Sequence, residues 1–321
     1  MSASPSPEPA TSATLHRERF RRWARWRLRV LLVIQALLLV LYFASQIDPA
    51  VVKRYMPGAE GFYDWYNSPA VPSTSAAGAR LVAEVAALGG QARRTEKQLG
   101  FLGLFGGTER FSVDFRGPQV DEAALARFVR RHGDQVTWFA LVNTSVTDDG
   151  LPHLEGMTHL RHLVLGNANW RDRVRQQPPT RFTDAGLLHL RGLTSLQSLN
   201  LEGLPVTDAG LDALKDLPGL GALYLQKTAV TGPGLGRLKA LPQLIILYLD
   251  QSEMTDEGLT HLAGAANLQV LGLDGLPISP EGLKALEPLP KLKTLSLRGC
   301  GLLDEDLDDF RKNRPDVKIE R

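Results

Sequence analysis

The chain has 321 residues, 43% of them apolar, which is enough to bury a sizeable core. Its single cysteine, Cys300, excludes an internal disulfide and a multi-cysteine metal site, and it leaves the redox compartment open. The formal net charge of +2 hides an asymmetry: residues 1–54 carry nine Lys/Arg against three acids, whereas the remainder carries 28 against 32.

Residues 1–16 include Ser-Ala-Ser-Pro-Ser-Pro-Glu-Pro-Ala-Thr-Ser, a composition that predicts a disordered tail. Seven arginines then fall between positions 17 and 29, with Phe20, Trp23 and Trp26 among them. Residues 28–47 come next, a stretch of 20, about the length that spans a hydrocarbon core as a helix. Gln35 is the only polar side chain between Val30 and Ala44, and Tyr42 and Phe43 suit the far interface. A cleaved signal needs a small-x-small site, and Phe43-Ala44-Ser45-Gln46 is a poor one. A twin-arginine signal at Arg21-Arg22 lacks the apolar pair that should come after it. A retained signal anchor fits best. The arginines then hold the N-terminus in the cytoplasm and place the rest of the chain on the extracytoplasmic (periplasmic) side. Because the arginine–tryptophan run abuts this span, lipid headgroups explain it better than nucleic acid, and no nucleic-acid partner is expected.

Residues 48–75 form a linker punctuated by Pro49, Pro57, Gly58, Pro69 and Pro72. Its Phe62-Tyr63-Asp64-Trp65-Tyr66 cluster fits either the headgroup zone or a packing site on the first turn of the C-terminal array. Residues 76–135 read as an N-terminal cap. An amphipathic helix runs from Ala76 to Leu88 with Leu81, Val85 and Leu88 on one face, Gly89-Gly90 stops it, and residues 91–97 form a strand. Residues 100–107, Gly-Phe-Leu-Gly-Leu-Phe-Gly-Gly, lack the lysine and hydroxyl of a phosphate-binding loop; they suit a cover for the first repeat or a lipid or partner contact.

From Val136 the chain repeats. Leu196, Leu220, Leu244, Leu268 and Leu292 stand 24 residues apart, each opening Leu-x-x-Leu-x-Leu, as in Leu196, Leu199 and Leu201. A fixed period in this range means stacked supersecondary units. Leu199 and Leu201 alternate with Ser198, Asn200 and Glu202, which predicts a half-buried strand. Leu211, Leu214 and Leu217 recur every three residues, which predicts a short helix, and Thr207 stands at its N-cap. Ser279-Pro280-Glu281-Gly282 replaces Thr-Asp-x-Gly in one copy, and serine with proline at the first helical position supports the cap. The aspartates suit the positive end of the helix dipole better than a ligand ladder. Seven copies cover residues 136–310, with an insertion at 170–181, and residues 311–321 form a C-terminal cap. A weaker eighth copy precedes them, where Val113 and Phe115 match Phe139 and Leu141 at an offset of 26.

The Thr-Asp-x-Gly-Leu-x-x-Leu second halves resemble leucine-rich repeats abundant in planctomycete bacteria and those of the cysteine-containing subclass. At the subclass's asparagine or cysteine site, however, this chain carries Thr144, Ala168, Leu204, Thr228, Ser252, Leu276 and Cys300. The lead-in of helix, Gly-Gly and basic strand is similar too. The resemblance implies an α/β fold: a right-handed leucine-rich repeat solenoid, or horseshoe, with parallel strands on the concave side and short helices on the convex side, preceded here by one transmembrane helix. It also implies recognition of an unspecified protein or other macromolecule.

Residues pointing outward from the strands form two expected columns. One holds Ala140, Val164, Asn200, Tyr224, Tyr248, Gly272 and Ser296; the other holds Val142, Gly166, Glu202, Gln226, Asp250, Asp274 and Arg298. Exposed Tyr224 and Tyr248 beside Glu202, Asp250 and Asp274, with Trp138 nearby, suit an interface anchor with a polar rim, although tyrosines also simply suit strands. The insertion is a second candidate: Trp170, Arg171, Arg173 and Arg175 suit an anionic partner. Catalysis finds no support. His153, His189 and His261 share one outward repeat position, His159 and His162 lack ligand-spaced partners, no serine sits in a nucleophile elbow, and Cys300 reads as a small buried apolar residue. No cofactor or metal is expected. The reading is a non-catalytic, membrane-anchored recognition protein, with an envelope spacer as the alternative and an enzyme-associated subunit a weaker third.

Overall fold

The computed structural model describes residues 75–97, 109–166 and 182–321. The expected span at 28–47, the linker, the glycine-rich segment at 100–107 and the insertion with Trp170, Arg171, Arg173 and Arg175 lie outside the described residues. No described helix is long and apolar enough to cross a membrane.

Ten strands form one sheet in chain order: β1 Gln91–Lys97, β2 Glu109–Arg116, β3 Val136–Val142, β4 His162–Val164, β5 Ser198–Asn200, β6 Ala222–Tyr224, β7 Ile246–Tyr248, β8 Val270–Gly272, β9 Thr294–Ser296 and β10 Lys318–Glu320. β1 pairs antiparallel with β2, and every later pairing is parallel. The 24-residue period appears as register: Leu199, Leu223, Leu247, Leu271 and Leu295 are successive partners. The weak first copy belongs to the same lattice, because Val113 pairs with Phe139 and Phe115 with Leu141.

Two helices precede the regular array. Helix α1, Ala76–Ala87, is capped by Ser75 and buries Leu81 and Val85. Helix α2, Glu122–His132, is capped by Asp121 and buries Leu125, Phe128 and Val129. Phe128 stacks on Phe139 and meets Phe115 edge-on, which seals this end of the core. At the other end, Arg314 donates to the carbonyls of Glu287, Leu289 and Leu292 beneath β10.

The second half of most repeats is a 3₁₀ helix, as at Gly210–Asp216, Pro233–Ala240 and Asp148–Gly156. Leucines spaced by three residues stay on one line only if the turn holds three residues; an α-helix would rotate each by a further 60° or so. Leu211, Leu214 and Leu217 are all fully buried. Short α turns open the second half of three repeats, at Asp184–Leu187, Asp256–Leu259 and Pro280–Lys284.

The Thr-Asp-x-Gly signature has a cross-repeat meaning. Thr183, Thr255 and Ser279 accept from an amide within their own turn, as N-caps, whereas Thr207 accepts the Ala209 N–H and the cap position of the 3₁₀ helix that follows is Ala209 itself. The aspartate, in contrast, reaches the next repeat. Asp184 accepts the Thr207 N–H at 2.9 Å and its hydroxyl at 2.6 Å. Asp148 holds Thr183, Asp208 holds Thr231 and Asp256 holds Ser279 in the same way, and Glu122 of α2 holds Thr147. The glycine makes room for the preceding carboxylate: a Cβ at Gly210 would lie 2.3 Å from Asp184 Oδ1 and one at Gly282 2.0 Å from Asp256 Oδ1. The motif is a clasp between neighbours, and its carboxylates are occupied by the fold.

Candidate functional site

The first of the two expected columns forms in full. Ala140, Val164, Asn200, Tyr224, Tyr248, Gly272 and Ser296 are partners in the register, ending at Glu320. A third column lies beside them: Trp138, His162, Ser198, Ala222, Ile246, Val270, Thr294 and Lys318. Sequence reasoning passed over its aliphatic centre. The signal was present, because three successive repeats place Ala222, Ile246 and Val270 where the others place tryptophan, histidine, serine, threonine or lysine. All three are buried.

Tyr224 and Tyr248 stack in parallel, with ring centroids 5.5 Å apart and planes 9° apart. The expectation that both are exposed does not hold. Tyr224 is half-buried and Tyr248 is only 8% exposed. The cause is the next residue in the column. A Cβ at Gly272 would lie 2.3 Å from Tyr248 Cδ1 and 2.7 Å from Asp250 Oδ1, so the ring occupies space that any other side chain would fill. Tyr248 is thus seated on Gly272 and covered by Tyr224.

The acids expected as a rim are engaged within the sheet. Glu202, 4% exposed, accepts from Lys227 Nζ at 3.1 Å. Burial pushes its carboxyl up, and the Lys227 hydrogen bond and charge offset this only in part. Asp250 Oδ1 accepts the Asp274 N–H at 2.8 Å; Asp274 Oδ1 accepts the Arg298 N–H at 2.8 Å and the Ser296 hydroxyl at 2.5 Å. Each aspartate therefore pegs the strand after it. Asn200 Oδ1 accepts the Glu202 N–H within its own repeat. Trp138, half-buried, packs on Ala140, Val142 and Val164 at the N-terminal end of the same face.

Where the strands leave the sheet, six repeats carry a left-handed residue. Gly203, Gly275 and Gly299 supply it in three repeats, but Asn143, Lys227 and Gln251 adopt φ of 55° in three others. A non-glycine residue there costs on the order of 1 kcal/mol. Lys227 and Gln251 belong to the two repeats that carry the tyrosines, and they line an open groove of about 440 Å³ with Gly203, Pro205, Thr228 and Glu253.

Among the described residues, no cluster of His, Cys, Asp and Glu is arranged to hold a metal ion. His153, His189 and His261 are exposed. Cys300 is half-buried rather than fully buried; its Sγ donates to Leu273 O at 3.1 Å, and burial raises its thiol pKa.

No family model matches the chain, and no curated protein matches it. Among solved structures, it is similar to the crystal structure of an internalin C2 from Listeria monocytogenes, at 21% sequence identity and a TM-score of 0.40, over 62% of this chain and 84% of that one. The fold is a stack of repeats, each adding one short strand in parallel register to a single sheet.

Proposed function

We propose that this chain is a membrane-anchored, non-catalytic recognition protein that captures another protein on the concave face of its repeats, outside the cytoplasm. The observation that carries this reading is the Tyr224–Tyr248 stack. Two large amphipathic rings stand together at the centre of an open sheet, beside the aliphatic column and a groove rimmed by Lys227 and Gln251. Aromatic anchors of this kind dominate binding energy in protein interfaces. Residues 28–47, with the arginines before them, support the anchor and its orientation.

The test is crosslinking in the native cell followed by mass spectrometry, on the wild type and on a Tyr224→Ala/Tyr248→Ala variant whose circular dichroism shows the repeats intact. Loss of a specific crosslinked protein supports the reading. Crosslinks that persist unchanged remove this face as the site. A structural reading, an envelope spacer without a specific ligand, is favoured by the internal engagement of Glu202, Asp250 and Asp274; it expects no specific crosslink at all. Orientation is tested separately by protease treatment of intact cells: an N-terminal tail cut while the repeats stay protected until lysis would reverse the topology.

A further inference from the structure

The carboxylate clasp fails at one internal joint. Glu122, Asp148, Asp184, Asp208 and Asp256 each hold the hydroxyl residue of the next unit. In the repeat 220–243 the aspartate is replaced by Gly232, and Thr255 of the next repeat receives no carboxylate among the described residues. Its exposed hydroxyl accepts only within its own turn, from the Gly258 N–H. The two backbones close in instead. Gly232 adopts φ of 138°, and a Cβ there would lie 2.1 Å from Gly258 Cα. The terminal repeat also lacks the pair, having Pro280 and Leu303 in its place, but Arg314 binds it through three carbonyls. Among the described residues, the joint between 220–243 and 244–267 has no such substitute on that side.

The same joint carries the Tyr224–Tyr248 stack on the sheet's outer face, and the left-handed Lys227 and Gln251 flank it. In a stack of repeats each unit is held only by its neighbours, so a deficit at one interface is not shared out along the array. We propose that this joint is the array's internal hinge, at which residues 244–321 open as one unit from the repeats before them, with the stacked tyrosines as its latch. A ligand that grips both rings would then also set the angle of the joint, which links the hinge to the recognition reading without depending on it.

Hydrogen exchange on the full-length protein tests this. The amides of Leu225, Lys227 and Ile246 bond across the joint, to Tyr248 O, Asp250 O and Gly221 O. Those of Leu201, Gly203 and Ala222 cross the clasped joint before it, and those of Leu249, Gln251 and Val270 cross the clasped joint after it. The first set is expected to exchange roughly tenfold faster than either of the others, as a sub-global opening. Asp208→Asn should bring the Leu201 set to the rate of the Leu225 set. Tyr224→Ala should speed the Leu225 set further, and Tyr224→Phe, which keeps the ring, should not. Equal protection of all three sets in the wild type would overturn the hinge. So would an Asp208→Asn protein whose own joint exchanges as before, because the clasp would then hold nothing.

Discussion

Replacing Gly272 with alanine tests the seat of the tyrosine pair without touching either ring. The added Cβ would lie 2.3 Å from Tyr248 Cδ1, 2.9 Å from its Cε1 and 2.7 Å from Asp250 Oδ1, all inside van der Waals contact. Tyr248 cannot yield toward Tyr224, whose ring already lies parallel at 5.5 Å, so it must lift from the sheet. Loss of the stack costs about 0.5–1.5 kcal/mol. Displacing Asp250 weakens its bond to the Asp274 N–H, at about 1 kcal/mol. Gly→Ala returns about 0.4–1 kcal/mol by stiffening the unfolded chain. The net expectation is a loss of about 1–2 kcal/mol, read as a lower urea midpoint together with a changed near-ultraviolet tyrosine circular dichroism band. Gly236→Ala supplies the control: nothing lies within 4 Å of a Cβ there, so that variant should be neutral or slightly stabilised. If Gly272→Ala matches Gly236→Ala in midpoint and spectrum, Gly272 is not the seat, and the burial of Tyr248 needs another cause.

The carboxylates give two further expected outcomes. Burial alone would raise the Asp208 pKa, but hydrogen bonds from the Thr231 hydroxyl and from the Thr231, Gly234 and Gly232 N–H groups outweigh it and hold the carboxyl below its ordinary value. Its stabilisation is therefore present above the unfolded-state pKa and lost as pH falls through the folded one. Asp208→Asn should cost about 1 kcal/mol at neutral pH, since solvent screens a carboxylate this exposed, and urea titrations at decreasing pH should show the gap from wild type closing below about pH 4; a gap that does not vary with pH would mean that charge plays no part in the clasp. Glu202 has the opposite sign. Its carboxyl is pushed up by burial, so the stability linked to it is full below the unfolded-state pKa and is lost as pH rises through the folded value. Glu202→Gln should leave stability unchanged or raised at pH 7, with half-exposed Lys227 returning to water at little cost; a marked loss would show that the ion pair outweighs the desolvation of its carboxylate.

The period carries the register, because a side chain's column is settled once its offset from the repeating leucine is known. That is why Tyr224 and Tyr248 are legible as neighbours, and why Val113 can be matched to Phe139 across an irregular offset. Contacts that run between repeats are much less legible. The Thr-Asp-x-Gly motif reads locally as a cap, and Thr183, Thr255 and Ser279 do cap while Thr147 and Thr207 do not, but the aspartate's partner lies 23 residues downstream and the glycine answers to the aspartate 26 residues upstream. The burial of Tyr248 depends on what residue 272 lacks, which no pattern within the tyrosine's own repeat reveals. Helix type is missed for a related reason: a leucine every third residue reads as helix in general, although that spacing is itself the 3₁₀ period. The insertion carries no period, so no register applies to it.

These errors have one physical source, which also bears on function. In a globular core a side chain's surroundings come from many directions, whereas in this stack they come from two, the repeat before and the repeat after. A departure from consensus therefore has a short range, and several departures at one interface reinforce one another. Gly232 in place of aspartate, the tyrosine pair, left-handed Lys227 and Gln251, and Gly272 beneath Tyr248 all fall within two repeats and the strand after them. Independent drift has no reason to gather a missing clasp, an aromatic stack and two strained rim residues at one joint. The capture and the hinge proposed above both rest on their falling together there.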